Sequence, residues 1–170
     1  ENIATPDYST QGQQGAIVSY HLGGMGRSEG GEAEIVWTPS AALQVSANYT
    51  YMPTAEYLKY PGVPQQEGLR FPSTPKQQWN LSARYQLEGG PLAGLYLGGW
   101  VHGQSETRGT LGGDWKYDVH VPNLVQADAF VGYKFKQLDT RLNIKNIGDR
   151  GGYVMNNFFL ANPPRSVYLS

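Results

Sequence analysis

The chain has 170 residues and a formal net charge of -1, which gives no indication of nucleic-acid binding, and the absence of Cys excludes disulfides and thiolate metal sites. Its mean hydropathy of -0.47 excludes a helical membrane protein, since no run approaches the roughly 20 apolar residues that a spanning helix requires. A membrane barrel is compatible, because each of its strands needs only about 10 alternating residues. The 22 Gly, 12 Tyr and 4 Trp favour strands and turns over helices.

The first long element is a strand predicted over residues 16–38. Its apolar side chains fall on even positions up to Leu22 and on odd positions from Ala33 onward. A strand changes faces only through an extra residue, so the pattern predicts a bulge at one of the glycines in between. These are Gly23, Gly24, Gly30 and Gly31. The alternative is a hairpin turn at "GGMGRSEGG", which would divide the segment into two strands.

Strict alternation of polar and apolar residues predicts further strands along the rest of the chain. They lie at 42–51, 78–87, 125–135 and 141–145. In the second of these, Trp79 and Leu81 share one face, whereas Gln78 and Asn80 share the other. Residues 92–104 are also predicted to form a strand, but their glycines and aromatics leave its facing open.

The connections between these strands are alternately short and long. The short ones are 38–41, 88–91 and 136–138, and the long ones are 54–75, 105–121 and 148–163. In an up-and-down arrangement, this order places every tight turn at one end of the sheet and every long loop at the other. Transmembrane barrels have this asymmetry, whereas a soluble sandwich has less reason to keep it.

Alternation alone does not distinguish a membrane barrel from a soluble β-sandwich, since each has one apolar and one polar face. Three features favour the barrel: the loop asymmetry, strands of 10 or more residues where about 5 or 6 is usual, and aromatics near the strand ends. These aromatics are Trp37, Tyr49, Tyr51, Trp79, Tyr133 and Phe135. We therefore predict an all-β, transmembrane, antiparallel up-and-down β-barrel.

Three motifs carry a family resemblance. They are "GRSEGGEAEIVWTPSAALQVSANYTY" at 26–51, "LNIKNIGDRGGY" at 142–153 and "PRSVYLS" at 164–170. In this order and spacing they resemble the C-terminal part of the barrel of a TonB-dependent outer-membrane receptor of the siderophore-receptor type. One departure is Gly148, which stands where the family usually has an aromatic residue.

The resemblance implies a 22-stranded barrel closed around an N-terminal plug, and a chain of this length supplies seven or eight of those strands. Residues 1–170 are then a C-terminal barrel segment, with the plug and the earlier strands outside this chain. The implied partners are the plug, the remaining strands, the TonB complex and the lipid of a Gram-negative outer membrane. The implied function is import of a scarce nutrient, most often a ferric siderophore, rather than catalysis, and no cofactor is implied.

If the resemblance holds, the three long loops form part of an outer vestibule that binds the ligand. Ferric siderophores are frequently anionic and aromatic, so Arg and aromatic side chains would contact them through charge-assisted hydrogen bonds and stacking. The candidates are Tyr57, Tyr60, Arg70 and Phe71 in the first loop, Arg108, Trp115, Tyr117 and His120 in the second, and Tyr153, Phe158 and Phe159 in the third. The alternative for each is that it packs the loops together or lies at the lipid interface.

The charged residues of the polar face are expected to form ladders across neighbouring strands and contacts to the plug. They are Glu32, Glu34, Arg84, Asp128, Asp139, Arg141 and Lys145. The three His have no metal-ligand spacing, and no catalytic triad or phosphate-binding loop is visible. Two other functions fit the same pattern: a complete small barrel acting as an adhesin or structural protein, and a receptor for haem, cobalamin or an oligosaccharide.

Overall fold

The computed structural model describes residues 2–6, 20–61, 63–111, 114–156 and 158–170. Within these ranges the chain forms strands joined by turns, with one short 3₁₀ helix at Pro64–Gln66. The strands are β1 (Asn2–Pro6), β2 (Tyr20–Ser40), β3 (Leu43–Lys59), β4 (Gln77–Gln86), β5 (Leu95–Gln104), β6 (Thr107–Leu111), β7 (Asp114–Val121), β8 (Leu124–Phe135), β9 (Leu138–Lys145), β10 (Tyr153–Asn156), β11 (Phe158–Ala161) and β12 (Ser166–Leu169). Over the same ranges, no helix is long and apolar enough to cross a membrane.

Eight of the strands form one antiparallel sheet in the order β1-β2-β3-β4-β5-β8-β9-β12. Apart from the two places where a hairpin intervenes, each strand pairs with the next one along the chain, as predicted for an up-and-down sheet. The tight turn after β8 lies where it was predicted, whereas the turn after β2 is at residues 41–42 rather than 38–41, because β2 continues to Ser40. The turn between β4 and β5 is longer than the predicted four residues, since β5 begins only at Leu95.

Two of the three long connections contain strands of their own. Residues 105–121 contain the hairpin β6–β7, and residues 148–163 contain the hairpin β10–β11. The first long loop begins at Tyr60 rather than at residue 54, because β3 continues to Lys59, which pairs with Met25 of β2. Tyr57 therefore lies in a strand, and the candidates of the second and third loops lie in or beside hairpin strands.

The prediction of one long bulged strand is confirmed for residues 20–40, while residues 16–19 lie outside the described ranges. Ile3 pairs with Gly24 and Ala4 with Leu22, so Gly23 is the extra residue that changes the faces of β2. Its φ of +142° is a conformation that side-chain-bearing residues rarely adopt. The alternative hairpin at "GGMGRSEGG" is wrong, since residues 23–31 are continuous strand.

Residues of like polarity face each other across the sheet. One row joins Ala47, Leu81, Val101 and Ala127, and the next joins Asn48, Asn80, His102 and Gln126. This register settles the facing of β5, because its odd-numbered residues lie in the apolar rows and its even-numbered residues in the polar rows. The polar rows contain direct bonds, since Asn80 Nδ2 donates to Asn48 Oδ1 over 2.8 Å and the hydroxyls of Ser46 and Ser82 are 2.6 Å apart.

The apolar face is the exposed one. Its exposed members include Ile35, Trp37, Tyr49, Leu81, Tyr85, Leu97, Val131, Leu138, Val167 and Leu169. The polar face instead holds buried side chains, such as Asp128 and Asn143, which are 6% and 2% exposed. A soluble sandwich would cover its apolar face with a second layer. Nothing within the described ranges covers this one, so the sandwich alternative does not fit.

Aromatic rings lie directly over glycines of the neighbouring strand at three places. A Cβ added to Gly132 would lie 2.3 Å from the ring of Tyr96, and one on Gly98 would lie 2.6 Å from the ring of Phe130. Gly103 receives the indole of Trp79 in the same way on the opposite face. The two members of each pair lie directly opposite each other in the sheet, so the ring occupies the space that a side chain on the glycine would fill.

The expected cross-strand charge ladders are not formed among the charged side chains of the polar face that the structure describes. The ion pair within 4 Å in that part of the chain, Arg27–Glu29, joins two residues of β2. Arg84, Arg141 and Lys145 lie instead over aromatic rings, those of Tyr96, Phe130 and Tyr168. Aromatic residues on the polar face therefore replace carboxylates as the neighbours of these cations.

Candidate functional site

The first long loop folds back on the end of β3 through a small aromatic cluster. The ring of Tyr57 lies 4.7 Å from that of Tyr60 and 4.6 Å from that of Phe71, the latter in an edge-on arrangement. Backbone hydrogen bonds also hold the loop against β3, since Tyr57 N donates to Leu69 O and Phe71 N donates to Ala55 O. Burial raises the pKa of the Tyr57 hydroxyl, and the nearby charge of Arg108 lowers it by a smaller amount.

Arg70 fastens the base of this loop. Its guanidinium donates to four backbone carbonyls: Met52 at 2.6 Å, Pro53 at 3.0 Å, Thr74 at 2.8 Å and Pro75 at 3.1 Å. An Arg side chain has five N–H donors, so most of its capacity is used within the protein. Burial lowers the pKa of Arg70, but a guanidinium stays charged at any physiological pH.

Arg108 joins the first loop to the hairpin β6–β7. Its side chain is buried, with Nη1 donating to the backbone oxygen of Arg70 over 2.9 Å and Nη2 to Gln66 Oε1 over 2.8 Å. The backbone adds a third bond, from Ser73 N to Arg108 O at 2.7 Å. Ser105 contributes at the base of the hairpin, where its hydroxyl accepts from Lys76 N. The first loop and this hairpin are therefore one connected unit.

The remaining candidates lie on the two hairpins. His120 is exposed and lies opposite Arg108 in the pairing of β6 with β7. Tyr153 is 57% exposed at the start of β10, and β10 contacts both β6 and β7. Trp115 and Tyr117 lie on β7, and Phe158 and Phe159 on β11, but their side chains lie outside what the structure describes. All three groups of candidates thus lie at one end of the sheet.

The base of the third loop is held by Asn146, which has a φ of +51° and is 2% exposed. Its Nδ2 donates to the backbone oxygens of Arg150 and Pro163, and its Oδ1 accepts from Arg150 N. Its own N–H donates to Asp128 Oδ1 over 2.7 Å. Asp149 continues the pattern, since Arg165 N donates to its Oδ1. The motif "NIGDR" therefore joins the end of β9 to the start of β12.

Sequence reasoning missed Gln66 and Ser105. Gln66 is 1% exposed and holds the guanidinium of Arg108, but a single Gln in a loop gives no signal of burial. The hydroxyl of Ser105, just after β5, accepts from the backbone N–H groups of Lys76 and Gln77. A Ser at a strand end often bonds to backbone, but the sequence does not indicate to which segment. No group of three His, Asp or Glu that could hold a metal ion occurs among the residues that the structure describes.

The family model described as "TonB dependent receptor-like, beta-barrel" matches residues 1–147. The chain belongs to this family. No curated protein matches the chain. The family resemblance is therefore confirmed over residues 1–147, a range that contains the first motif and the start of the second, while "PRSVYLS" lies beyond it.

Solved receptor structures share the fold. The ferripyoverdine receptor of the outer membrane of Pseudomonas aeruginosa matches with a TM-score of 0.74 at 19% identity, over 99% of this chain and 22% of its own. The ferric-catecholate import receptor Fiu from K12 E. coli matches at 0.72 and 24% identity, with the same coverage of each chain. BauA, the ferric preacinetobactin receptor from Acinetobacter baumannii, matches at 0.71 and 19% identity, over 99% of this chain and 25% of its own.

These matches confirm the all-β, antiparallel barrel fold that the alternation predicted. The receptor segment spans about a quarter of the length of the solved structures it matches. The family is one of outer-membrane transport receptors rather than enzymes. The prediction of ligand contact for the loop residues stays a prediction.

Proposed function

We propose that this chain forms part of the wall and outer vestibule of a receptor that imports a ferric siderophore across a Gram-negative outer membrane, energised by the TonB complex. The observation that carries the proposal is the gathering of three aromatic- and arginine-containing loop units at one end of a sheet whose apolar face is exposed. Solved receptors with this fold include one bound to ferripyoverdine and one described as a ferric-catecholate import receptor.

The apolar face is proposed to contact lipid. Its exposed aromatics lie in two bands, with Tyr49 and Tyr51 towards the loop end and Tyr85, Tyr133 and Phe135 towards the tight turns. The bands lie about 20 Å apart along a strand, taking Trp79 to Tyr85 at roughly 3.3 Å per residue. This spacing suits the apolar band of about 25 Å that membrane barrels present between two aromatic girdles.

The polar face is then proposed to line a lumen that holds an N-terminal plug, with further strands completing the wall. In support, β1 and β12 lie at opposite edges of the sheet and do not pair with each other in the described part of the chain. A complete barrel of these strands alone would require that pairing. The open sheet therefore favours the receptor over the small self-contained barrel, whether adhesin or structural protein.

Within the vestibule, the residues are proposed to divide into two roles. The exposed Tyr153 and His120, with Trp115, Tyr117, Phe158 and Phe159 on the hairpin strands, are proposed to contact the ligand. Tyr60 and Phe71 both pack against Tyr57, so these three residues are proposed to contact the ligand only through the edge of their cluster. Arg70 and Arg108 are proposed to contribute positive charge while holding the loops in place.

The test is uptake of radioactive iron by cells that produce the receptor, measured with a panel of ferric siderophores. One ferric siderophore should be taken up only when both the receptor and TonB are present. Tyr153→Ala should weaken its binding, whereas Tyr85→Ala, an exposed tyrosine at the opposite end of the sheet, should not. Uptake of haem, cobalamin or an oligosaccharide, with none of any ferric siderophore, would refute the assignment.

A further inference from the structure

The exposed apolar face changes character at the loop end of β4, β5 and β8. One row of opposite residues there consists of Trp79, Gly103 and Val125. The next row of this face towards the loops contains Gln77, whose backbone oxygen accepts from Ser105 N over 2.9 Å. Apolar side chains thus give way to polar ones within a single step along the strands. If the face contacts lipid as proposed, this step is the level at which it leaves the hydrocarbon.

The indole of Trp79 lies across Gly103 at this level. A Cβ added to Gly103 would be 2.5 Å from Cε2 and 2.7 Å from Nε1 of the ring. Because glycine has no side chain, the ring can lie close to the sheet. The space beside it, between β5 and the start of β8, therefore stays open.

A cavity of about 350 Å³ opens beside the indole. This volume falls within the range of about 300–1,000 Å³ that is usual for small-molecule sites. Its wall combines the aromatic ring with one apolar side chain, two amides, a hydroxyl and a carboxylate, which belong to Trp79, Val125, Gln77, Asn123, Ser105 and Glu106. A second cavity of about 250 Å³ shares Asn123 and Val125 with the first and includes Arg150 and Gly151 in its wall. The two cavities form one groove along the loop end of the apolar face, which we call the rim groove.

The side chains of the rim groove suit a sugar. Sugar hydroxyls both donate and accept hydrogen bonds, as do the amides of Gln77 and Asn123. The negative face of an aromatic ring such as that of Trp79 attracts the C–H groups on the flat side of a sugar ring. Glu106 in one cavity and Arg150 in the other have opposite charges, so the groove favours a ligand without net charge.

We propose that the rim groove binds the sugar headgroup of an uncharged glycolipid, with one sugar ring stacked on Trp79 and its hydroxyls bonded to Gln77 and Asn123. This inference rests on the proposed function, in which the apolar face contacts lipid and the loop end faces outward. The lipid would then lie in the outer leaflet. Its site is on the opposite face of the sheet from the lumen, so it would not compete with a transported ligand.

The surface below the rim groove favours a lipid over a dissolved sugar. Directly below Val125, β8 continues along the same face with Ala127 and Ala129, and Ala129 lies opposite Gly99 of β5. Two short side chains and a glycine leave a shallow depression in the exposed apolar face. An acyl chain attached to a sugar in the groove could lie in this depression, where burial of its methylenes would add to the affinity.

The test uses the purified full-length receptor in detergent and measures retention of added lipid by native mass spectrometry. The probe is a diacylglycerol that carries one glucose. Trp79→Leu keeps an apolar side chain but removes the ring, so it should weaken binding about tenfold. Tyr85→Leu, the matched control, removes an exposed aromatic residue from the opposite end of the same strand and face, and should leave binding unchanged.

A second variant keeps the indole but displaces it. The Cβ of Gly103→Ala would lie 2.5 Å from the ring, so the ring must move away from the sheet. This variant should also weaken binding, and combining it with Trp79→Leu should add little, because both changes act through the same ring. Unchanged binding in both single variants would overturn the proposal.

Other probes identify the class of ligand. Phosphatidylethanolamine and phosphatidylglycerol, which lack a sugar ring, should bind at least about tenfold more weakly than the glucose lipid. Equal retention of all three lipids would overturn the proposal in favour of a general lipid surface. Methyl glucoside that binds as tightly as the glucose lipid would overturn it in favour of a dissolved sugar.

The two proposals fail separately. If the glucose lipid is retained and Trp79→Leu weakens its binding, but no ferric siderophore is taken up by the wild-type receptor, the rim groove stands and the siderophore assignment fails. If uptake is normal and the glucose lipid is not retained, the rim groove fails and the import function stands.

Discussion

Replacing Asn146 by Ala should lower the free energy of unfolding by about 4 kcal/mol. The Asn146 side chain is 2% exposed and makes three hydrogen bonds with Arg150 and Pro163, each contributing about 1 kcal/mol. Its φ of +51° adds a further term of about 1 kcal/mol, because Ala tolerates the left-handed region less well than Asn. The lost hydrogen bonds lie where the end of β9 meets the start of β12.

Two variants separate these terms. Asn146→Gly removes the same three bonds but adopts positive φ freely, so its cost should be about 3 kcal/mol. Asn162→Ala removes a single side-chain bond, from Nδ2 to Arg150 O in a more exposed position, and should cost about 1 kcal/mol or less. The measurement is equilibrium unfolding of the folded receptor in urea, followed by tryptophan fluorescence.

The order in which the three variants lose free energy of unfolding is as informative as the size of each loss. If Ala and Gly at position 146 are equally destabilising, the conformational term is absent. If Asn146→Ala costs no more than Asn162→Ala, the junction of β9 with β12 does not depend on its buried amide, and the argument from the motif is refuted.

Three further predictions concern the wall and the first loop. Gly132→Ala should destabilise the receptor by about 1–3 kcal/mol, because the added Cβ meets the ring of Tyr96; combining it with Tyr96→Ala should recover part of that loss in the same urea assay. Arg70→Lys should speed hydrogen exchange in residues 60–76, because one ammonium cannot reach four carbonyls; unchanged exchange would contradict the role of Arg70 at the base of the loop. Burial raises the pKa of Tyr57, so the folded state favours the neutral hydroxyl. Above a pH of about 10, the hydroxyl ionises in the unfolded chain before it ionises in the folded one, so the free energy of unfolding should fall. Tyr57→Phe should abolish that loss, which limited proteolysis across the pH range would measure.

The alternation of the sequence predicted the faces of the sheet because a strand repeats every two residues, whatever its neighbours are. The same rule predicted a bulge at one of Gly23, Gly24, Gly30 and Gly31, and the pairing of β1 with β2 identifies Gly23 as the extra residue. For residues 95–104, however, apolar side chains such as Leu97 and Val101 alternate with Tyr96 and Trp100, so polarity could not choose a face. The choice came from pairing with β4 and β8, which is information carried by other segments.

The structure of the loops was less predictable, because it depends on contacts that no sequence pattern indicates. Arg70 and Arg108 were candidates for the ligand by residue type, yet their donors reach backbone carbonyls and Gln66. A backbone carbonyl belongs to every residue, so its availability as a partner cannot be inferred from residue type. The hairpin β10–β11 was concealed for a related reason, since its strands have four residues each and are too short to show alternation. β7, in contrast, alternates over all eight of its residues, "DWKYDVHV", so this strand could have been predicted from the sequence.

The glycines beneath the aromatic rings bear on how the strands find their alignment. A slip of two residues between β5 and β8 would leave every side chain on its proper face, so polarity alone cannot prevent it. In one direction such a slip would set Tyr96 opposite Phe130, ring against ring; in the other it would set Gly98 opposite Gly132 and leave a gap. Each ring and its glycine therefore favour one alignment of β5 with β8. A misaligned pair of strands would be destabilised locally, before the surrounding wall is complete.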